Sequence, residues 1–254
     1  MSMRSSWIAT SLACATLVAC SSPGSVPMPT AQATPRTVMP SASPGAPPSD
    51  AIVLFDGRNL SLWEASKDHA PAQWSVHDGV VTVNKSAGNI QTRQHFTNYQ
   101  LHLEWRVPED ISGEGQARGN SGLFLASTGP KDEGYEIQIL DSWQHSTYVN
   151  GQAASVYKQA PPLVNAMLPP GQWQRYDVVW TAPVFTAQGT LQSPAYVTLL
   201  HNGVLVQNHT QLAGETLFQG EPSYKPHGAA PIKLQAHGDP SEPISFRNIW
   251  VRPL

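Results

Sequence analysis

The chain has 254 residues, enough for one large domain or two small ones. Lysine plus arginine total 15 and aspartate plus glutamate 18, a formal net charge of -3, which excludes both the basic stripe of a nucleic-acid binder and a polybasic membrane patch. With 23 prolines and 19 glycines the chain is poor material for long helices, while 40% hydrophobic residues are enough to bury a core and exclude wholesale disorder.

In chain order, the first segment reads as an export signal. Residues 1–6 carry Arg4, and residues 7–19 form an apolar, small-residue run. That run has the length of a signal h-region and is shorter than the ~20 residues a spanning helix needs. It ends Leu17-Val18-Ala19-Cys20, which resembles the lipobox of bacterial lipoproteins. The resemblance implies a lipidated Cys20 as the mature N-terminus, with Ser21 favouring outer-membrane sorting to either the periplasmic or the surface face. An ordinary secretory signal cut near Ala19 is the alternative. The two cysteines are Cys14 and Cys20, so the exported part has no disulfide, thiol nucleophile or cysteine metal site. Residues 20–50 follow as a disordered, proline-rich tether: residues 21–50 hold eight prolines and no hydrophobic periodicity.

Residues 51–254 read as a single catalytic or binding domain. Alternation with a period of two recurs along it. In 101–107, Leu101, Leu103, Trp105 and Val107 share one face, and His102, Glu104 and Arg106 the other. Residues 135–139 repeat the pattern with Glu136 and Gln138 on one face, and 121–125, 176–180 and 244–251 also read as strands. Asp78-Gly79 and Asn202-Gly203, each between two apolar runs, predict hairpins. Many short strands, no helical stretch free of Pro and Gly, and no internal repeat predict an all-β sandwich.

The polar faces carry the functional clue. His102, Glu104 and Arg106, then Glu136 and Gln138, then Gln235 and His237, are groups suited to sugar hydroxyls, and if their strands are neighbours in one sheet they converge on one surface. Trp143, Tyr148 and Tyr157 are candidate aromatic partners for sugar C–H faces. Cross-strand pairing among these residues is the plainer alternative. A phosphate cradle at 113–120 fails because no Lys-Ser/Thr pair or helix follows; serine catalysis fails because no Gly-x-Ser-x-Gly elbow is present; and the nine histidines form no zinc-type His-Glu-x-x-His.

Several segments together resemble the 3-keto-disaccharide hydrolases. They include Phe55-Asp56-Gly57, Leu101-His102-Leu103-Glu104-Trp105-Arg106, Arg118-Gly119-Asn120-Ser121-Gly122 and Tyr135-Glu136-Ile137-Gln138-Ile139-Leu140-Asp141-Ser142. Further on come Pro170-Gly171-Gln172-Trp173, His201-Asn202-Gly203-Val204, Pro231-Ile232-Lys233-Leu234-Gln235-Ala236-His237-Gly238 and Phe246-Arg247-Asn248-Ile249-Trp250. The resemblance implies a concanavalin-like, glucanase-like jelly roll of two curved antiparallel sheets. Ala236 departs from an Asp frequent in the family, which removes one carboxylate beside His237, and 155–159 is also divergent.

The activity so implied cleaves 3-keto-glycosides by C2 proton abstraction, elimination and hydration. It needs a base, an acid for the leaving oxygen, and an electrophile for the enolate, a role open to a divalent cation. Chemistry and strand face nominate His237 or Glu136 as base, with Glu104 and Asp141 as acid or metal ligand. Gln138, Asn120 and Arg106 are nominated to hold hydroxyls or the keto oxygen, and Gln235, Trp143 and Tyr157 to complete the binding set. Glu136 and His237 are the candidate metal ligands. A separate oxidoreductase has to supply the oxidised glycoside. Two other readings stand beside this one. A conventional glucanase-like glycosidase needs paired carboxylates, and Gln138 interrupts that pattern in 136–141. The other is a non-catalytic carbohydrate-binding surface lipoprotein.

Overall fold

The computed structural model describes residues 34–254, so the signal segment and Cys20 lie outside the described residues. Fifteen strands run in chain order: β1 (Ile52–Phe55), β2 (Trp63–Ala65), β3 (Ser75–His77), β4 (Val80–Thr82), β5 (Ile90–Thr92), β6 (Tyr99–Arg106), β7 (Ser121–Ser127), β8 (Gly134–Ile139), β9 (Gln174–Thr181), β10 (Val184–Phe185), β11 (Leu191–Ser193), β12 (Tyr196–His201), β13 (Val204–Gln211), β14 (Lys233–Leu234) and β15 (Ser245–Pro253). The helices among the described residues are single 3-10 turns, and none is long and apolar enough to cross a membrane.

Two antiparallel sheets make the sandwich. An eight-stranded sheet runs β13-β12-β9-β6-β15-β4-β3 with β1 beside β15, and a five-stranded sheet runs β2-β5-β14-β7-β8. The fold is the all-β jelly roll expected. Both predicted hairpins form, with Asp78 at φ 48° and Gly79 at 79°, and Asn202 at 54° and Gly203 at 83°. Such left-handed pairs match the twist of the flanking strands.

The apolar halves of the alternating strands face each other. Leu101, Leu103 and Trp105 of β6 and Tyr176, Val178 and Trp180 of β9 meet Leu123 and Leu125 of β7 and Tyr135 and Ile137 of β8 in one buried cluster. Two core tyrosines tie the layers: the Tyr99 hydroxyl donates to the Leu125 carbonyl at 2.5 Å and the Tyr176 hydroxyl to the Gln138 carbonyl at 2.8 Å. A buried phenol needs such a partner, so the core itself sets the height at which β8 presents its outer face.

Residues 38–50 correct the expectation of a tether running to residue 50. Val38–Leu254 form one compact unit. The Gly45 carbonyl accepts from Asn248 Nδ2 and Trp250 Nε1, each at 2.9 Å, and Arg252 pairs with Asp50 at 2.8 Å. Gly45 has φ 82°, and a Cβ there would sit 3.2 Å from both His102 Nε2 and Asn248 Nδ2. Glycine lets this proline-rich segment lie directly on the sheet, which composition alone does not reveal.

Candidate active site

Period-two alternation turns Glu64, Gln91, Lys233, Phe124 and Glu136 into one row across the five-stranded sheet. Each lies opposite the next in register, on the face away from the core. The next row brings Gln138 opposite Gly122, whose carbonyl accepts the Gln235 amide at 3.0 Å. Over these rows lies a cavity of about 190 Å³ lined by Asn120, Asp132, Glu136, Gln138, Tyr157, Thr216, Phe218, Gln235 and His237.

Glu136 is the centre of it. A Cβ on Gly122 would come within 2.3 Å of Glu136 Oε1, so the glycine of the Asn-Ser-Gly run is what makes room for this carboxyl. Burial raises its pKa to about 8, the nearby Asp132 carboxylate adds to the rise, and Lys233 offsets part of it. A carboxyl held in this way keeps its proton at neutral pH and can donate it.

His237 follows β14 and is braced from behind. Its Nδ1 lies 3.0 Å from Asp239 Oδ2. Asp239 in turn accepts from the Ser241 hydroxyl and amide and pairs with Lys85 at 3.2 Å. Burial works against its charge, but the hydrogen bonds from His237, Ser241 and Lys85 outweigh this and hold the carboxyl down at about 2. Nδ1 also lies 3.2 Å from the Asp239 backbone N–H, so two groups of Asp239 compete for it. In the tautomer that donates to the carboxylate, Nδ1 carries the proton and the Nε2 lone pair is left for the cavity. Asp239 thus supplies the carboxylate that Ala236 lacks; the loss expected from Ala236 is made good two residues beyond the histidine.

Amides complete the wall. Gln138 Nε2 donates to Asn120 Oδ1 at 3.0 Å and Asn120 Nδ2 to the Gln116 carbonyl at 2.7 Å. Gln116 Nε2 reaches Thr147 Oγ1 and the Gly151 carbonyl, each at 2.8 Å, which anchors the loops at the rim. Gln235 Oε1 is buried and has no hydrogen-bond partner among the described residues. A buried acceptor left open on a cavity wall is a place for a ligand hydroxyl. Tyr157 pairs with Tyr148 through their hydroxyls at 2.5 Å, and burial raises its phenol pKa.

Of the residues nominated from sequence, Glu136, Gln138, Asn120, Gln235, His237 and Tyr157 meet here. Glu104 and Arg106 do not, because β6 belongs to the other sheet and its core-facing residues turn them to that sheet's outer face. Glu104 is bound by Arg247 at 2.6 Å and Asn248 at 3.0 Å, and Arg106 lies over the Trp173 ring at 4.6 Å. Asp141 is buried against Arg118 at 2.6 Å and caps the Trp143 amide at 3.0 Å. Trp143 packs on the core edge rather than in the cavity. The expected convergence of three strand segments is therefore corrected to two.

Lys233, Asp132, Thr216, Phe218 and Asp239 were missed. Lys233 shares the alternation phase of Gln235, which is the one available signal; the rest come from loops whose folding no periodicity encodes. For a divalent ion the donor set falls short: among the described residues no three His, Cys, Asp or Glu side chains are grouped to hold one. Asp239 is already engaged by Ser241 and Lys85, and Glu136 holds its proton.

Residues 50–252 match the family model described as the 3-keto-alpha-glucoside-1,2-lyase-like domain. A 3-keto-disaccharide hydrolase of Bacteroides thetaiotaomicron is 26% identical over 241 residues, 80% of this chain and 78% of the relative. A crystal structure from Parabacteroides distasonis, provisionally named a glycosyl hydrolase, is 52% identical with a TM-score of 0.82, covering 88% of this chain and 93% of that one. A second structure from that organism, with the same provisional name, has the fold at 20% identity and a TM-score of 0.58 over 80% of this chain and 94% of that one. With four-fifths of its length in the family match and the predicted jelly roll in place, the chain belongs to the 3-keto-disaccharide hydrolase family.

Proposed function

We propose that this protein hydrolyses 3-keto-glycosides by elimination and hydration, with His237 as base and Glu136 as acid. A carbonyl at C3 acidifies the C2 proton, and His237 Nε2 removes it. The electron pair forms an enolate and then expels the C1 substituent, whose oxygen takes the proton of Glu136. Water adds across the resulting C1–C2 double bond: its hydroxyl joins C1, its proton passes to the Glu136 carboxylate, and His237 returns a proton to C2. Both groups end as they began, and the glycosidic bond has been hydrolysed. General acid–base steps of this kind contribute about 10²–10⁴-fold each.

The remaining residues bind. Gln235 Oε1 and the Thr216 hydroxyl take sugar hydroxyls, Gln138 and Asn120 fix the ring, and Tyr157 with Phe218 covers its apolar face. The substrate comes from an oxidoreductase that converts the C3 alcohol to a ketone, and lipidation at Cys20 after export holds the enzyme on the outer membrane.

The observation that carries this reading is Glu136, a buried carboxyl without a salt bridge among the described residues, its pKa raised to about 8, in one cavity with a carboxylate-braced histidine. The test is incubation of the purified protein with 3-keto-trehalose and with trehalose. Release of 3-keto-glucose from the first alone supports it; hydrolysis of both sugars points to a conventional glycosidase, and binding without release to a lectin-like role.

A further inference from the structure

The outer face of the five-stranded sheet does not end at the cavity. Beyond it lies a second hollow of about 370 Å³, lined in part by Ser66, His69, Gln91 and His95. The turn 129–133 stands between the two: its Asp132 lines the first, and its Gly129 and Pro130 line the second.

Lys233 lies beneath that turn. It is fully buried, an unusual place for a lysine. Its Nζ donates to the carbonyls of Gly129 at 2.8 Å, Lys131, and Glu133 at 3.3 Å, and lies 5.1 Å from the centre of the Phe124 ring. Three alternate carbonyls of one turn thus converge on one ammonium. Smaller contacts help: Ser66 Oγ donates to the Pro130 carbonyl at 3.0 Å, and Asn89 Nδ2 to Asp132 Oδ1 at 3.0 Å. Asn89 Oδ1 of the same side chain accepts the Ala236 backbone N–H at 2.8 Å, which ties the turn to the residue before His237. Burying an ammonium is costly unless its hydrogen bonds are all made, so Lys233 and the turn hold only in each other's presence.

We propose that Lys233 is a specificity-determining positioning residue: it holds the 129–133 turn upright as a partition that closes the cavity against the second hollow and confines the site to a short glycoside. With the partition standing, a sugar seated over Glu136 has no continuous groove along the sheet, so internal units of a polysaccharide are excluded by shape. This rests on the hydrolase reading for the identity of the glycoside but not for the role of the turn.

The test uses Lys233→Met, which keeps the volume and removes the donor, and Lys233→Arg, which keeps charge and donors. Amide hydrogen exchange is followed at Thr128 and Lys131, whose N–H groups bond within the turn to the Glu133 carbonyl and carboxylate. The expected result for Lys233→Met is exchange at least tenfold faster at these two amides, with β7 and β8 unchanged. In 3-keto-trehalose turnover, KM rises at least fivefold and by more than kcat falls, since the lost charge also acts on Glu136, and Lys233→Arg restores both readouts. Unchanged exchange overturns the proposal, as does faster exchange with an unchanged KM. A parent protein that turns over nothing defeats the hydrolase reading instead, and the exchange arm, which needs no substrate, still decides whether Lys233 holds the partition.

Discussion

Both sheets carry polar residues on their outer faces, yet they do opposite things with them. On the eight-stranded sheet His102 is wholly buried between Asp177 at 2.7 Å and Asn248 at 3.2 Å, and stacks on Trp250 at 5.3 Å. Burial opposes its charge, but Asp177 and Glu104 outweigh that and raise its pKa. Glu104 faces the same opposition, and His102, Asn248 and Arg247 hold it at about 2. Each of these two groups has found its partners. On the five-stranded sheet Glu136 stays protonated because burial and the Asp132 charge outweigh Lys233, Gln235 Oε1 has no hydrogen-bond partner among the described residues, and His237 is held from one side only. Saturated polarity is structure, and unsaturated polarity is a site.

The sharpest way to break the comparison is Glu136→Gln. The amide keeps the shape and loses the transferable proton. On the proposed mechanism turnover of a 3-keto-glycoside falls by about 10²–10⁴-fold. Turnover within tenfold of the parent removes Glu136 from the acid role.

Asp239→Asn comes next. An amide facing Nδ1 can donate where the carboxylate only accepted, and so favours the tautomer with its proton on Nε2, where the base must be free. The expected loss in kcat is on the order of 10²-fold, with recovery as His237 is allowed either tautomer by Asp239→Ala. A kcat within threefold of the parent for Asp239→Asn shows that the brace does not set the histidine's chemistry.

These two substitutions also show what could be read in advance. The sandwich was legible because apolar alternation and the Asp-Gly and Asn-Gly turns are local signals, and burial of one face follows from them directly. Glu136, Gln138, Gln235 and His237 were legible for the same reason. Glu104 has the same local signature as Glu136, and nothing in a strand of alternating residues says which sheet it joins or whether Arg247, 143 positions away, will reach it. Asp239 and Lys233 fail differently. Each acts through groups that a loop brings back, Ser241 and Lys85 for one and the carbonyls of 129–133 for the other. Loop closure leaves no period in the sequence.

Stability separates the faces more gently. The Glu136 carboxyl has its pKa raised from 4.5 to about 8 in the folded chain, so the fold binds a proton that the unfolded chain has released. Stability from this group is complete below about pH 4.5 and declines as pH rises towards 8. Relative to the parent, Glu136→Gln is expected to gain about 2 to 5 kcal/mol between pH 5 and 8. Lys233, whose pKa burial lowers from 10.5 to about 8, starts to lose its proton in the fold only near the top of that window, and it does so in both proteins. Urea denaturation at pH 5 and pH 8 checks the sign: a difference between the two proteins that stays constant with pH means that the carboxyl ionises freely in the fold.

The smallest effects belong to the saturated face, and they complete the comparison. Glu104→Gln removes the charge that Arg247 and His102 face, and is expected to cost about 2 kcal/mol of stability, with turnover within about threefold of the parent. The cost falls away in acid, since the folded carboxyl stays ionised down to about 2 while the unfolded one protonates near 4.5. Arg106→Ala loses only its place over Trp173, a ring that Arg247 also covers at 4.1 Å, and is expected to cost about 0.5 kcal/mol or less with no change in KM. The pair of variants isolates the argument, because both residues look outward from a strand, as Glu136 does, and both have chemistry a sugar could use. If either one raises KM or lowers kcat tenfold, hydrogen-bond saturation is not what separates the two faces, and the substrate reaches the eight-stranded sheet as well.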